Sequence, residues 1–150
     1  MDTLREYYPM VRKGEGQPFD DNIVSGQSAN DFIRMRLAET YLYRAEAYLM
    51  KGDLEKAAAD INVLRNRAQA TPVTPDQVNI DFLLDERARE LLVEEPRRRT
   101  LMRLNLLYDR VTRYNPSSAS SVQPHHNLWP LPQSVIDSNI GEVLAQNPGY

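Results

Sequence analysis

The 150-residue sequence predicts a mainly α fold of paired antiparallel helices, with an extended N-terminal arm and an irregular, proline-rich C-terminal segment. Three observations predict it. Between Asn30 and Ala70, apolar residues recur at steps of three and four, which gathers them on one face of a helix of about 3.6 residues per turn. Gly52-Asp53 breaks that run with the chemistry of a tight corner. A second run of helical period extends from Ile80 to Glu94 and ends before Pro96.

Residues 1–29 lack helical period and form the arm and a loop. Tyr7-Tyr8-Pro9-Met10-Val11 is β-prone, and Gly14, Gly16 and Pro18 keep the next stretch irregular. The next segment, 30–70, is the helix pair. Ile33, Leu37, Tyr41, Ala45 and Tyr48 mark the first stripe, and Leu54, Ala57, Ala58, Ile61, Leu64 and Ala68 mark the second. Neither helix can bury its stripe alone, so the two pack as a hairpin, and their alanines let the axes approach closely. At the corner, Gly52 takes the left-handed conformation without a Cβ penalty. Lys51 suits the negative end of the first helix, while Asp53 caps the second and Glu55 adds charge to its first turn.

Thr71-Pro72 ends the pair, because the residue before proline is pushed out of the α region. Thr74-Pro75-Asp76-Gln77 has capping-box spacing and starts a new turn, either continuous with the next helix or kinked near Asn79. The third helix, Ile80 to Glu94, carries an apolar face of Ile80, Leu83, Leu84, Ala88, Leu91 and Leu92, with Glu86, Arg87, Arg89 and Glu90 on the remaining surface. A fourth helix, Arg97 to Leu107, has a narrower stripe of Leu101, Leu104 and Leu107. Tyr114-Asn115-Pro116 opens a serine-rich loop to about Val122, the best candidate for a mobile insertion. Leu128 to Pro132 is extended, because prolines at alternate positions forbid a helix. A single helical turn, Ser134 to Ser138, comes next, and Gln146-Asn147-Pro148-Gly149-Tyr150 is a turn sequence.

Composition narrows the function. A net charge of −3 argues against nucleic acid as a partner. The absence of cysteine excludes a disulfide framework, thiol catalysis and a cysteine zinc site within these residues. No run of about twenty apolar residues spans a membrane. There is no glycine-rich phosphate loop, nucleophile elbow or His-Glu-x-x-His motif.

The hairpin has about the length of a tetratricopeptide unit, with Tyr41, Ala45, Tyr48, Ala57, Ile61 and Leu64 at that repeat's packing positions. Three ordered segments point further. The first runs from Arg36-Leu37-Ala38-Glu39 through Gly52 to Ile61-Asn62-Val63-Leu64-Arg65-Asn66-Arg67-Ala68. The second is Glu86-Arg87-Ala88-Arg89-Glu90-Leu91 followed by Arg98-Arg99 and Leu101-Met102-Arg103. The third is Leu128-Trp129-Pro130-Leu131-Pro132 with Asn139 and the closing Gln-Asn-Pro-Gly-Tyr. In this order they resemble the C-terminal half of the SusD/RagB family, over about residues 30–150.

That resemblance implies a nutrient-binding lipoprotein on the outer face of the outer membrane of Bacteroidetes-type bacteria. It implies an oligosaccharide ligand, a TonB-dependent, SusC-like transporter as partner, no catalysis and no cofactor. It also implies that 30–150 is the C-terminal helical domain of a larger protein. The family's N-terminal half and its lipidated cysteine, the sole link to the membrane, would then lie outside this chain. The rival reading is a tetratricopeptide-like protein-interaction module without sugar binding.

Glu39 and Glu46 lie two turns apart on one face, about 10 Å, near the spacing of an inverting glycosidase pair. Carboxylates flanked by arginines stay ionised and make poor general acids. We therefore expect Glu39, Glu46 and Glu90 to pair across helix interfaces with arginines such as Arg65, Arg67 and Arg87 and to act structurally. His125-His126 point to opposite sides in an extended segment and lack a third ligand nearby, so no metal site is expected. Arg97-Arg98-Arg99 could attract anionic sugars, but spread around a helix they are not expected to form one clamp. Trp129, Tyr7 and Tyr8 are the candidates for stacking on a sugar, with Trp129 expected to be buried and the tyrosines to pack on protein.

Overall fold

In the computed structural model, the described residues are Lys13 and 33–150. The rest of the expected arm, with Tyr7 and Tyr8, lies outside them. Every regular element among the described residues is helical, and the chain forms two units, Met1–Glu95 and Pro96–Tyr150.

The first unit holds helix α1 (Leu37–Met50), helix α2 (Leu54–Arg67), a 3-10 turn (Pro75–Gln77) and helix α3 (Ile80–Glu90). At the corner Gly52 has φ +78°, and Asp53 N–H donates back to Tyr48 O at 2.9 Å while Gly52 N–H donates to Leu49 O at 3.0 Å. This is a Schellman closure. Asp53 then caps α2 by accepting from Lys56 N–H at 3.2 Å.

The core is formed by Ala38, Leu42 and Ala45 of α1, Ala57, Ala58, Ile61 and Leu64 of α2, Leu83 of α3, and Val73, Val78 and Leu91 from the connections. Its α1 contribution is offset by about one position from the expected stripe. Helix α1 begins at Leu37 rather than near Asn30, so Ile33 precedes it and is 49% exposed, and Leu37 is 69% exposed. Tyr41 and Tyr48 lie at the edge of the core. Two stripes fit the helical period here. The one that buries puts the small Ala38 and Ala45 against the other helices and carries Glu39 and Glu46 inward.

The connection from α2 to α3 is fastened by side chains. Asn62 makes a reciprocal amide pair with the Val73 backbone, accepting from N–H at 2.8 Å and donating to O at 2.9 Å. Gln77 accepts from Thr74 N–H at 3.0 Å, the capping-box contact expected there. The turn is separate from α3, which Asn79 caps through Phe82 N–H at 2.9 Å. Helix α3 stops at Glu90, short of the expected Glu94. Val93 adopts φ +62°, a conformation in which a helix cannot continue. The α3 faces also differ from expectation. Ala88 and Leu92 are exposed, whereas Glu86 and Arg87 are buried.

The second unit holds helix α4 (Arg97–Arg103), helix α5 (Leu107–Tyr114), a 3-10 turn (Pro124–Asn127) and helix α6 (Gln133–Ser138). The fourth helix, expected to reach Leu107, ends at Arg103, and α5 is a helix that the spacing does not predict. Asn105, at φ +58°, ends α4 with the same closure as Gly52, Leu106 N–H donating to Leu101 O at 2.8 Å. The serine-rich stretch is built of hydrogen-bonded turns on Asn115 O and Ser118 O.

Candidate functional site

Two arrangements in the chain use the residues singled out by sequence, and each lies within one unit. The first is the charged interior of Met1–Glu95. Arg87 of α3 is wholly buried. Its guanidinium lies 4.4 Å from the Tyr43 ring centre and 3.6 Å from Glu39 of α1, and Nε donates to Glu95 at 2.7 Å. Arg65 of α2 donates to Glu86 at 2.7 Å and to Thr71 O at 2.6 Å. Glu90 lies 2.8 Å from Arg36, just ahead of α1, and 2.8 Å from Arg67 at the end of α2. Arg44 and Asp60 join α1 to α2 through two bonds of 2.8 and 2.7 Å. Glu46 is buried as well.

The electrostatics follow from these pairs. The hydrogen bonds and charge of Asp60 raise the pKa of Arg44. Burial works against the charge on Arg36, yet Glu94 and Glu90 hold its pKa above the ordinary value. Burial likewise works against charge on Glu94, but Arg36 at 2.7 Å and Lys13 at 2.9 Å hold its carboxyl below the usual range. Glu94 so held stays ionised at neutral pH and accepts hydrogen bonds from its two cations. Glu39 and Glu46 lie inside the helical packing, not across a cleft.

The second arrangement is in Pro96–Tyr150. An open cavity of about 470 Å3 lies among α4, α5 and the turns after them. Leu101, Leu107, Val111 and Val122 supply its apolar wall, and Arg97, Arg98, Asn115, Ser118, Ser121 and His126 supply polar groups. The volume falls in the range of small-molecule sites, roughly 300–1,000 Å3. Two expectations change here. Arg97 and Arg98, expected to diverge, line the same cavity, whereas Arg99 does not line it. Trp129, expected to be buried, is 56% exposed, with the Arg98 guanidinium 4.0 Å from its ring centre. Burial fails because Pro130 and Pro132 keep this segment extended along the surface.

The closing residues hold that segment in place. Gln146 accepts from Leu131 N–H at 2.7 Å and donates to Leu131 O at 2.9 Å. Asn147 donates to Trp129 O at 2.6 Å, and the Tyr150 hydroxyl donates to Leu128 O at 3.0 Å. Tyr150 also meets His125 edge to face, with ring centres 4.9 Å apart. A Cβ on Gly149 would fall 2.6 Å from His125. His126 accepts from Gln123 N–H at 3.0 Å through Nδ1. Among the described residues, no group of three or more histidines and acids could hold a metal ion, and no helix is long and apolar enough to cross a membrane.

Sequence reasoning misses Asn115, Ser118, Ser121 and His126 as cavity residues. The only signal at the first three is a serine-rich composition, which reads equally well as plain loop, and His126 is weighed only as a metal ligand.

The sequence model of the SusD family matches residues 3–150. The chain is 37% identical over 126 residues to the protein named Starch-binding protein SusD of Bacteroides thetaiotaomicron. The match covers 80% of this chain and 22% of that relative. The chain thus spans about a fifth of the length of the relative it matches. No solved structure matches the chain at a significant level.

Proposed function

The chain belongs to the SusD family, and from that premise we propose that it is part of a surface protein that captures glycans for uptake. Capture is passive. A frame of helices pinned by internal ion pairs presents a polar-rimmed cavity, and the sugar is bound and handed on without any bond being made or broken. The partner that receives it is a TonB-dependent, SusC-like transporter of the outer membrane. The protein faces outward and is held there by a lipid on a cysteine outside these 150 residues.

The observation that carries this reading is the 37% identity to a protein named for starch binding. Two features support it. Arg87 and its partners connect α1, α3 and the turn after α3, which suits a rigid scaffold. The cavity combines apolar wall with amide, hydroxyl and guanidinium groups, the mixture a sugar ring needs for its CH faces and its hydroxyls.

Calorimetric titration of the full-length protein with maltoheptaose, cellohexaose and a pectic oligosaccharide tests the reading. Saturable binding of at least one is expected. Failure to bind any oligosaccharide across a broad glycan array would overturn it. Affinity purification from membranes tests the partner, which should co-purify as a TonB-dependent transporter.

A further inference from the structure

We propose that the cavity in the second unit binds the negatively charged group of an acidic oligosaccharide, a uronate carboxylate or a sulfate ester. This deepens the glycan-capture reading and rests on it. The argument begins with charge. Residues 96–150 carry six arginines, no lysine and three acids, although the whole chain has a net charge of −3. The positive charge is therefore local to this unit. None of the three acids, Asp109, Asp137 and Glu142, lines the cavity, whereas Arg97 and Arg98 do.

Geometry supplies the second step. Arg98 is exposed, and its guanidinium is stacked 4.0 Å from the centre of the Trp129 ring. This cation–π contact holds the guanidinium in place over the ring before a ligand arrives. A planar fork of this kind matches two oxygens of a carboxylate or sulfate. Asn115, Ser118 and Ser121 add neutral donors and acceptors suited to ring hydroxyls. The Trp129 segment is itself pinned by Gln146 and Asn147, so the stack rests on a fixed backbone. A neutral sugar offers the Arg98 fork no anion, which makes a charged sugar the better complement.

Trp129 lies against Arg98, so its fluorescence reports on this site, and the part of the signal that a Trp129→Phe variant of the full-length protein loses is the part that comes from it. The full-length protein would be titrated with trigalacturonate, a sulfated disaccharide from chondroitin and neutral maltoheptaose. Trigalacturonate, the sulfated disaccharide or both should perturb Trp129 emission saturably, and more tightly than maltoheptaose. The arm that binds identifies carboxylate or sulfate as the charged group. Arg98→Gln should weaken that binding roughly tenfold, as expected for losing a charge-assisted contact. Arg99→Gln, next to it but outside the cavity, should leave it unchanged. Circular dichroism checks that both variants fold.

Equal binding of neutral and acidic sugars, or equal effects of the two variants, would overturn the proposal and leave glycan capture standing. Binding of maltoheptaose alone would do the same. Absence of binding by all three sugars would overturn the proposal, while glycan capture falls only if the broad glycan array is blank as well.

Discussion

Single residues with unusual backbone set where the helices stop. Gly52 sits at φ +78° with open space around a Cβ built on it, so replacing it costs only backbone strain. Gly52→Ala should destabilise the chain by about 1 kcal/mol in urea unfolding. Val93 is the opposite case, a β-branched residue held at φ +62° with its side chain exposed. Val93→Gly removes strain and little packing, and it should raise stability by up to about 1 kcal/mol in the same assay. A fall in stability would mean that the Val93 side chain contributes contacts that its exposure hides. Glycine announces the first corner in the sequence. Valine and asparagine do not announce the turns at Val93 and Asn105, because neither residue type is diagnostic of the left-handed region. That is why the spacing predicts an α3 and an α4 that are each too long.

Among the elements, α1 and α3 are joined by Arg87, which is buried against Glu39, Glu95 and Tyr43. Arg87→Ala would strand those carboxylates and should cost about 3–5 kcal/mol. The exposed Lys56–Asp53 pair, 2.6 Å apart, is the contrast, and Lys56→Ala should cost far less than Arg87→Ala in the same unfolding assay. Equal costs would show that burial is not what makes the Arg87 network matter. The existence of the hairpin is legible from period, corner and cap together. Its rotation is not, because Leu37–Tyr41 and Ala38–Leu42 satisfy the same spacing. Only the partner helices decide between them, by selecting the smaller side chains at close approach and by supplying arginines for the inward glutamates.

For the whole molecule, acid sensitivity follows from Glu94. Its folded pKa lies below the ordinary value of 4.5, so its contribution is complete above that value and is lost as pH falls through the lowered one. Urea unfolding at neutral pH and at a series of acid values should therefore show a shallower acid loss for Glu94→Gln than for the parent chain. Identical slopes would assign the acid loss to other carboxylates. The cavity is the least legible feature at this scale. Its walls come from positions between 97 and 126, on a set of turns and two helices, the second of which the spacing does not predict. Spacing along a chain reports which residues share a helix face. It does not report which loops return to meet that face.

The amide clasps have a chemical consequence of their own. Asn62 on Val73 and Gln146 on Leu131 each use one side chain as a one-residue stand-in for a neighbouring strand, giving and taking one bond apiece. Deamidation would turn the giving nitrogen into a charged oxygen facing a carbonyl, so the clasp would repel where it had gripped. Asn62→Asp and Gln146→Glu, which install that oxygen directly, should therefore loosen the chain beside Val73 and Leu131 while its helices remain wound.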